Sequence, residues 1–308
     1  MPEPSRPESS HGPLIFDRLL LRARRRRAVA AGAETFLLDR VATDLAERLT
    51  AVLRRFDRVL DLGTPGDALR AALAGLPSVG TVISAGAALP EREGSGTRFV
   101  IADVEALPFG SAVFDLVVSG LSLQFVNDLP GALVQIRRVL KPDGLFVAAL
   151  AGGDTLTELR QSFAAAESEI EGGISPRIAP FADVRDLGAL LQRAGFALPV
   201  TDVDRITVRY GTVFALMHDL RRMGATNALL DRRRTPLKRA TLMRMAEIYA
   251  QRFADADGRL RATFEIAWLL GWAPHPSQQQ PLKPGSAQAR LADVLGTREV
   301  STGEKATR

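Results

Sequence analysis

Apolar residues in this chain fall into blocks whose spacing changes from helical to continuous and back. From Phe36 to Leu53 they recur three or four positions apart, at Phe36, Leu37, Val41, Leu45, Leu49, Val52 and Leu53, which predicts an amphipathic helix. Arg58-Val59-Leu60-Asp61-Leu62 then predicts a short buried strand, closed by the turn Gly63-Thr64-Pro65-Gly66. A helix from Asp67 to about Leu76 follows, and strands are expected at 79–84, 98–101, 114–119 and 145–150, each separated by a helical or turn segment. Apolar strands alternating with helices predict a parallel sheet covered on both faces.

Beyond Gly152 the pattern predicts a helix over about 154–169, a break at Gly172-Gly173, a loop holding Pro176 and Pro180, a helix over 184–194 and a strand near 203–208. Two further helices, at 212–223 and 236–253, interrupt the alternation before a last strand at 263–270. The implied organisation is a tail at 1–13, a basic helical region at 14–56, and a sheet core at 57–151. A second half of the core at 152–272 carries a helical cap at about 212–255, and a loop and tail occupy 273–308. The early helix is expected to run from Ile15 through the arginine cluster at 22–27.

Composition narrows this little. The 308 residues are 46% hydrophobic and 24% charged, an ordinary soluble balance for one large α/β domain with additions. No apolar run approaches the roughly 18 residues of a membrane span, and the N-terminus lacks the apolar core of a secretory signal. The chain has no cysteine, which excludes disulfides, thiolate metal sites and a cysteine nucleophile and fits a cytoplasmic protein. The net charge of +5 is concentrated in two segments. Residues 1–30 carry seven arginines against three acids, and 221–244 carry eight basic residues against Asp231. Such patches suit anionic lipid or an acidic protein surface, or are solvated helix faces. Neither has interleaved aromatics, which argues against nucleic-acid stacking.

The stretch 102–146 carries the chemistry. Asp103-Val104 and the Leu107-Pro108-Phe109 turn lead into the strand Phe114-Asp115-Leu116-Val117-Val118-Ser119, then a helix ending Arg137-Arg138-Val139-Leu140 and the stop Lys141-Pro142-Asp143-Gly144. With the opening Asp61-Leu62-Gly63, this block resembles the class I S-adenosylmethionine-dependent methyltransferases. The resemblance implies an α/β, Rossmann-like sheet with helices on both faces and a helical insertion before the last strand. It also makes residues 57–151 the cofactor-binding part. Its implied cofactor residues are Asp61, Gly63, Gly66, Ser84, Asp103, Val104 and Ser119, with Asp103 meeting the adenine amino group. Three positions depart from the pattern. Pro65 stands where a second glycine is usual and has no N–H to donate. Asp67 would repel a carboxylate at the helix start. Ser84 stands near where an acid normally accepts the ribose hydroxyls, a loss of about 1.5–3 kcal/mol per charge-assisted bond. On residues alone, the alternative reading of Asp103 is a turn or helix-capping aspartate.

Further segments narrow the family: Asn127-Asp128-Leu129-Pro130-Gly131, Gly152-Gly153-Asp154-Thr155-Leu156-Thr157-Glu158, Glu171-Gly172-Gly173-Ile174-Ser175-Pro176, and Gly271-Trp272 with His275-Pro276-Ser277-Gln278. With Phe16-Asp17-Arg18, they resemble the methyltransferase-fold assembly factors of respiratory complex I, over roughly 14–290. That resemblance implies a S-adenosylmethionine-binding enzyme that hydroxylates an arginine of a NADH:quinone oxidoreductase subunit. The absence of cysteine and the basic N-terminal helix lead to the expectation of a cytoplasmic protein, peripheral at the inner membrane, with that helix meeting membrane or an acidic partner surface. The resemblance makes Gln124, Asp154, Glu158 and His275 the catalytic candidates and Arg160 and Glu171 the substrate contacts, since carboxylates pair bidentately with a guanidinium. Asp154 and Glu158 are four apart and are expected on one helix face; the plainer reading of the pair is a helix N-terminus with a salt bridge to Arg160. Gln124-Phe125 stands where mitochondrial relatives have His-Trp. No metal site is expected, because His218 and His275 lie in separate segments. A scaffold without catalysis and a small-molecule methyltransferase remain the alternatives.

Overall fold

The computed structural model describes residues 14–87, 98–279 and 291–298. The tail expected at 1–13 and the parts of the expected C-terminal tail at 280–290 and 299–308 lie outside those residues. Seven strands form one sheet: β1 (Phe56–Leu62), β2 (Val79–Gly86), β3 (Arg98–Ile101), β4 (Phe114–Gly120), β5 (Leu140–Ala151), β6 (Ala197–Tyr210) and β7 (Leu260–Trp272), in the order β3-β2-β1-β4-β5-β7-β6. The first five are parallel, and β7 runs antiparallel between β5 and β6. Strand order reverses between β1 and β4, where an open sheet of this kind binds ligands beyond its strand tips.

Alternation of side chains across the pleat explains the unbroken apolar strands. Leu116 and Val118 of β4 with Leu145, Val147 and Ala149 of β5 face one core, closed by α2 (Phe36–Thr50), α3 (Ala68–Ala74), α5 (Thr157–Glu171), α7 (Val213–Arg222) and α8 (Arg239–Phe253). Phe114 and Val117 with Phe146, Ala148 and Leu150 face the other, closed by α4 (Leu129–Val139) and α6 (Val184–Arg193). Each such side chain stabilises the fold by roughly 1.5–3 kcal/mol when fully buried. The inserted helices α7 and α8 lie between β6 and β7 in sequence, and those two strands still pair as neighbours.

Four boundaries differ from the sequence pattern. The first helix, α1 (Arg18–Ala30), starts later than Ile15 because Phe16 bridges to Leu229 and Asp17 N–H donates to the Ala228 carbonyl (2.8 Å). Asp17 then caps the helix, accepting from Leu20 N–H at 2.9 Å. The expected stop at 141–144 lies inside β5, because Leu140 already pairs with Phe114 and Asp143 takes a left-handed turn (φ 62°). The strand expected near 203–208 extends over the whole of β6, which pairs with β7 along its length. The helix expected from about 154 begins at Thr157. Thr155 Oγ1 donates to the Glu265 carbonyl (3.0 Å), and Leu156 N–H donates to the Thr263 carbonyl (2.7 Å), stapling the exit of β5 to β7. Leu156 itself is left-handed (φ 56°).

The chain divides into two compact units after Pro274, and the sheet and α1–α8 belong to the first. The second holds a turn in which Gln278 N–H donates to the His275 carbonyl (3.1 Å) and the short helix α9 (Leu291–Leu295). Among the described residues no helix is long and apolar enough to cross a membrane.

Candidate functional site at the strand tips

The β1 tip is built from a close approach of backbones. Gly63 is left-handed (φ 72°), and a Cβ there would lie 2.5 Å from Ser122 Oγ and 3.2 Å from Val104 Cγ2, so only glycine fits. Its N–H donates to the Ala85 carbonyl (2.7 Å), and Thr64 Oγ1 accepts from Gly120 N–H (2.9 Å). These bonds draw the β1 loop toward both neighbouring strands. Gly66 is also left-handed (φ 67°), with nothing within 4 Å of where a Cβ would stand. Asp67 turns to Arg70 (3.0 Å), with its side chain half exposed. Ser119 is fully buried and donates to the Leu62 carbonyl (2.7 Å), so it holds β4 to β1.

Asp61 is 3% exposed; Ser84 Oγ donates to its Oδ2 at 3.4 Å, and Oδ1 has no partner. Burial pushes its carboxyl up to about 7, against the hydrogen bonds from Thr64 and Ser84. Ser84 therefore faces Asp61. Asp103 Oδ1 takes a hydrogen bond from Glu105 N–H (2.9 Å) and an ion pair from Arg18 (2.5 Å), whose other nitrogen reaches Glu105 (3.1 Å). Burial raises the Asp103 carboxyl, but the bonds and charge of Arg18 outweigh it, and the net shift is downward.

Beyond the tips of β1, β4 and β5 lies a cavity of about 160 Å³ with mainly apolar walls. Pro65 and Gly66 border it from the β1 loop. Leu121, Gln124 and Phe125 border it after β4, Ala151, Thr155 and Leu156 after β5, and Phe264 and Ile266 from β7. Its lid comprises α1, the link to α2, and the end of α7, contributing Arg25, Glu34 and Met223 among others. Leu121 is held left-handed (φ 48°) at the exit of β4, where its N–H donates to the Ala149 carbonyl (2.8 Å). Two polar groups in the cavity wall are notable. Gln124 Oε1 is buried without a hydrogen-bond partner. Arg25 stacks over the Phe125 ring, its carbon 5.5 Å from the centroid, and burial lowers its guanidinium to about 10.

The expected site residues therefore separate. Gln124 and Gly66 border the cavity, while Asp61, Gly63 and Val104 form the adjoining β1 tip. Asp154 and Glu158 do not share a helix face: Asp154 precedes α5 and pairs with Arg205. Glu158 is buried at 6% and accepts from Thr263 N–H (3.1 Å) and Thr263 Oγ1 (2.5 Å). Arg160 reaches the Gly153 and Thr155 carbonyls at 3.3–3.4 Å. Glu171 takes a hydrogen bond from Thr241 (2.7 Å) and pairs with Arg233 and, at 3.4 Å, Lys238, which ties α5 to α8. His275 lies in the second unit, its Nδ1 2.7 Å from Ser277 Oγ. Arg25, Glu34 and Thr155 were missed. Leu21 and Ala28, both buried, stand at helical spacing around Arg25. That spacing is a readable sign that this one arginine of the cluster faces inward.

Comparison with known proteins places this geometry. A methyltransferase domain family matches residues 60–148. The mitochondrial arginine-hydroxylase NDUFAF5 of Homo sapiens is 42% identical over 288 residues, covering 91% of this chain and 83% of that protein. Its counterpart in Danio rerio is 39% identical over 293 residues, covering 93% and 91%. A malonyl-[acyl-carrier protein] O-methyltransferase of Laribacter hongkongensis is 41% identical over 186 residues, 60% of each chain. In fold, the crystal structure of the YcgJ protein of Bacillus subtilis superposes with a TM-score of 0.51 at 16% identity, covering 77% of this chain and 99% of that one.

Proposed function

The chain belongs to the family of the mitochondrial arginine-hydroxylases NDUFAF5, on a class I methyltransferase fold, and from that premise we propose that it binds S-adenosylmethionine and hydroxylates an arginine of a protein substrate. The observation that carries the reading is Gln124 Oε1, a buried acceptor without a partner in the wall of the cavity at the strand tips. A buried acceptor left unmade costs about 1–3 kcal/mol, and a guanidinium offers five N–H donors to remove that cost. Glu34 borders the same cavity and is held by Arg222 only at 3.5 Å, so its carboxylate is available for the charge. The apolar walls suit the methylenes of an arginine side chain.

The residues at the β1 tip fit the cofactor. Gly63 supplies the close backbone approach and Gly66 an unobstructed turn. Asp61 contributes a buried carboxylate oxygen with bonding capacity to spare. Asp103 Oδ1 is engaged, and its Oδ2 remains for the adenine amino group, with Val104 beside it. Bound S-adenosylmethionine would supply an activated sulfonium methyl group but no oxygen. Turning a C–H of the arginine into C–OH is a two-electron oxidation, so the reaction also takes an external oxidant: dioxygen, whose second oxygen leaves as water, with a two-electron reductant. The chain's own residues supply positioning and exclusion of water: the α1 and α7 lid covers the tips, and Leu121 is fixed by the Ala149 carbonyl. Glu158 and Glu171 hold α5 in place through their bonds to Thr263, Thr241 and Arg233. The substrate implied by the sequence resemblance is a subunit of NADH:quinone oxidoreductase.

One observation favours a scaffold without catalysis: the ion pair of Arg18 with Asp103, at the position read as the adenine contact. Two measurements decide. Calorimetry with S-adenosylhomocysteine yields binding heat under our reading, and none at millimolar ligand would leave the scaffold. Peptide mass spectrometry of the quinone oxidoreductase subunits, with and without this gene, yields a gene-dependent gain of one oxygen on an arginine. A methyl gain would convert the reading to methyl transfer, and identical masses would remove both.

A further inference from the structure

The β1–α3 loop of this protein is a poor place for a carboxylate. Pro65 has no N–H, Asp67 puts a negative charge at the start of α3, and α3 is only seven residues long. A cofactor whose methionine end carries a carboxylate needs its compensating charge from elsewhere. Arg25 lines the same cavity as Pro65 and Gly66 of that loop, on the inward face of α1 between the buried Leu21 and Ala28. Among the described residues no carboxylate pairs with it, and its guanidinium lies over the Phe125 ring. Other arginines of the same helix are engaged: Arg18 with Asp103 and Glu105, and Arg24 with the Asn227 carbonyl. Arg25 is half-buried; a guanidinium held partly out of water without a counter-ion is costly, and an aromatic face offsets only part of that cost.

We propose that Arg25 is the anchor for the α-carboxylate of the cofactor's methionine moiety, taking over from the lid the role that the β1 loop has lost. The assignment rests on the reading that the site binds S-adenosylmethionine, and deepens it. The planar fork of a guanidinium matches a carboxylate with two parallel N–H···O bonds. Pro65 and Leu121, which line the same cavity, suit the methylenes between carboxylate and sulfur. Neutralising Arg25 this way also lets Gln124 and Glu34 present acceptors to a second, cationic guanidinium in the same cavity without facing an uncompensated charge. Cofactor binding would then add a bond between the cofactor and α1, which already covers the strand tips.

The test compares two ligands that share the adenosyl thioether and differ in the amino-acid end: S-adenosylhomocysteine, which has the carboxylate, and 5′-methylthioadenosine, which lacks it. Titration calorimetry of the full chain should show wild type preferring S-adenosylhomocysteine by roughly tenfold to a hundredfold, the range for a charge-assisted pair. Arg25→Gln should lose that preference while binding 5′-methylthioadenosine as wild type does, which also reports that the variant is folded. Arg25→Lys should recover part of it. Equal S-adenosylhomocysteine affinity in wild type and Arg25→Gln would overturn the assignment and leave the cofactor reading standing. Binding of neither ligand by wild type would overturn both.

Discussion

Asp61→Asn should make the unliganded protein more stable at alkaline pH and leave it unchanged in acid. Asp61 is 3% exposed with one carboxylate oxygen unpartnered, and burial raises its carboxyl to about 7 from 3.8. The native state therefore holds this proton more tightly than the unfolded chain does. Between about 4 and 7 the folded protein loses stability as pH rises, and above about 7 the whole penalty of a buried charge is present. At about 1.4 kcal/mol per pH unit, the difference amounts to about 4 kcal/mol, an upper figure because water entering the site screens the charge. Asparagine keeps the shape and the bonds to Ser84 and Thr64 without the charge. Urea unfolding of both proteins at intervals from pH 5 to pH 8.5 should show the variant's advantage growing with pH and levelling off above about 7. A stability difference independent of pH would refute the assignment of a destabilising buried carboxylate. The same substitution should weaken cofactor binding, since a strained polar group at a site is commonly retained for function at the cost of stability.

Glu158→Gln should destabilise by about 1.5–3 kcal/mol, because its carboxylate accepts two bonds from Thr263 between α5 and β7; urea unfolding unchanged from wild type, with activity lost, would make it a reacting group instead. Glu171 is held down to about 2 by its hydrogen bond from Thr241 and the charges of Arg233 and Lys238. Its contribution is present above the unfolded value near 4.5 and is lost as pH falls toward 2, so Glu171→Gln should be less stable than wild type at neutral pH and indistinguishable in strong acid. An undiminished gap at pH 2, measured by circular dichroism, would refute that. Gly63→Ala should abolish S-adenosylhomocysteine binding, because the added methyl meets Ser122 at 2.5 Å and the backbone is left-handed; retained affinity in calorimetry would show that the β1 tip does not cradle the ligand.

The chain alone determined the parallel core of the sheet, but not where β5 begins, how far β6 runs or that β7 is antiparallel. A strand with both faces buried needs apolar residues at every position, and that local demand is written into Phe114-Asp115-Leu116-Val117-Val118 and its counterparts, so strand positions and the α/β class were legible. The Asp61-Leu62-Gly63 opening and the turn after Asp103 were legible for the same reason, since tight turns restrict residue type locally. Partners distant in sequence were not. Glu158 and Thr263 meet only because β5 and β7 pair, and their bond places an expected catalytic candidate as a clip between elements. Asp154 missed its helix because β7 staples the preceding residues of the exit loop. Arg25 was hidden in a run of four arginines whose charges look alike along the chain. Only the docking of α1 over the strand tips decided which of them faces the cavity, because burial depends on what packs against a side chain and not on its neighbours in sequence.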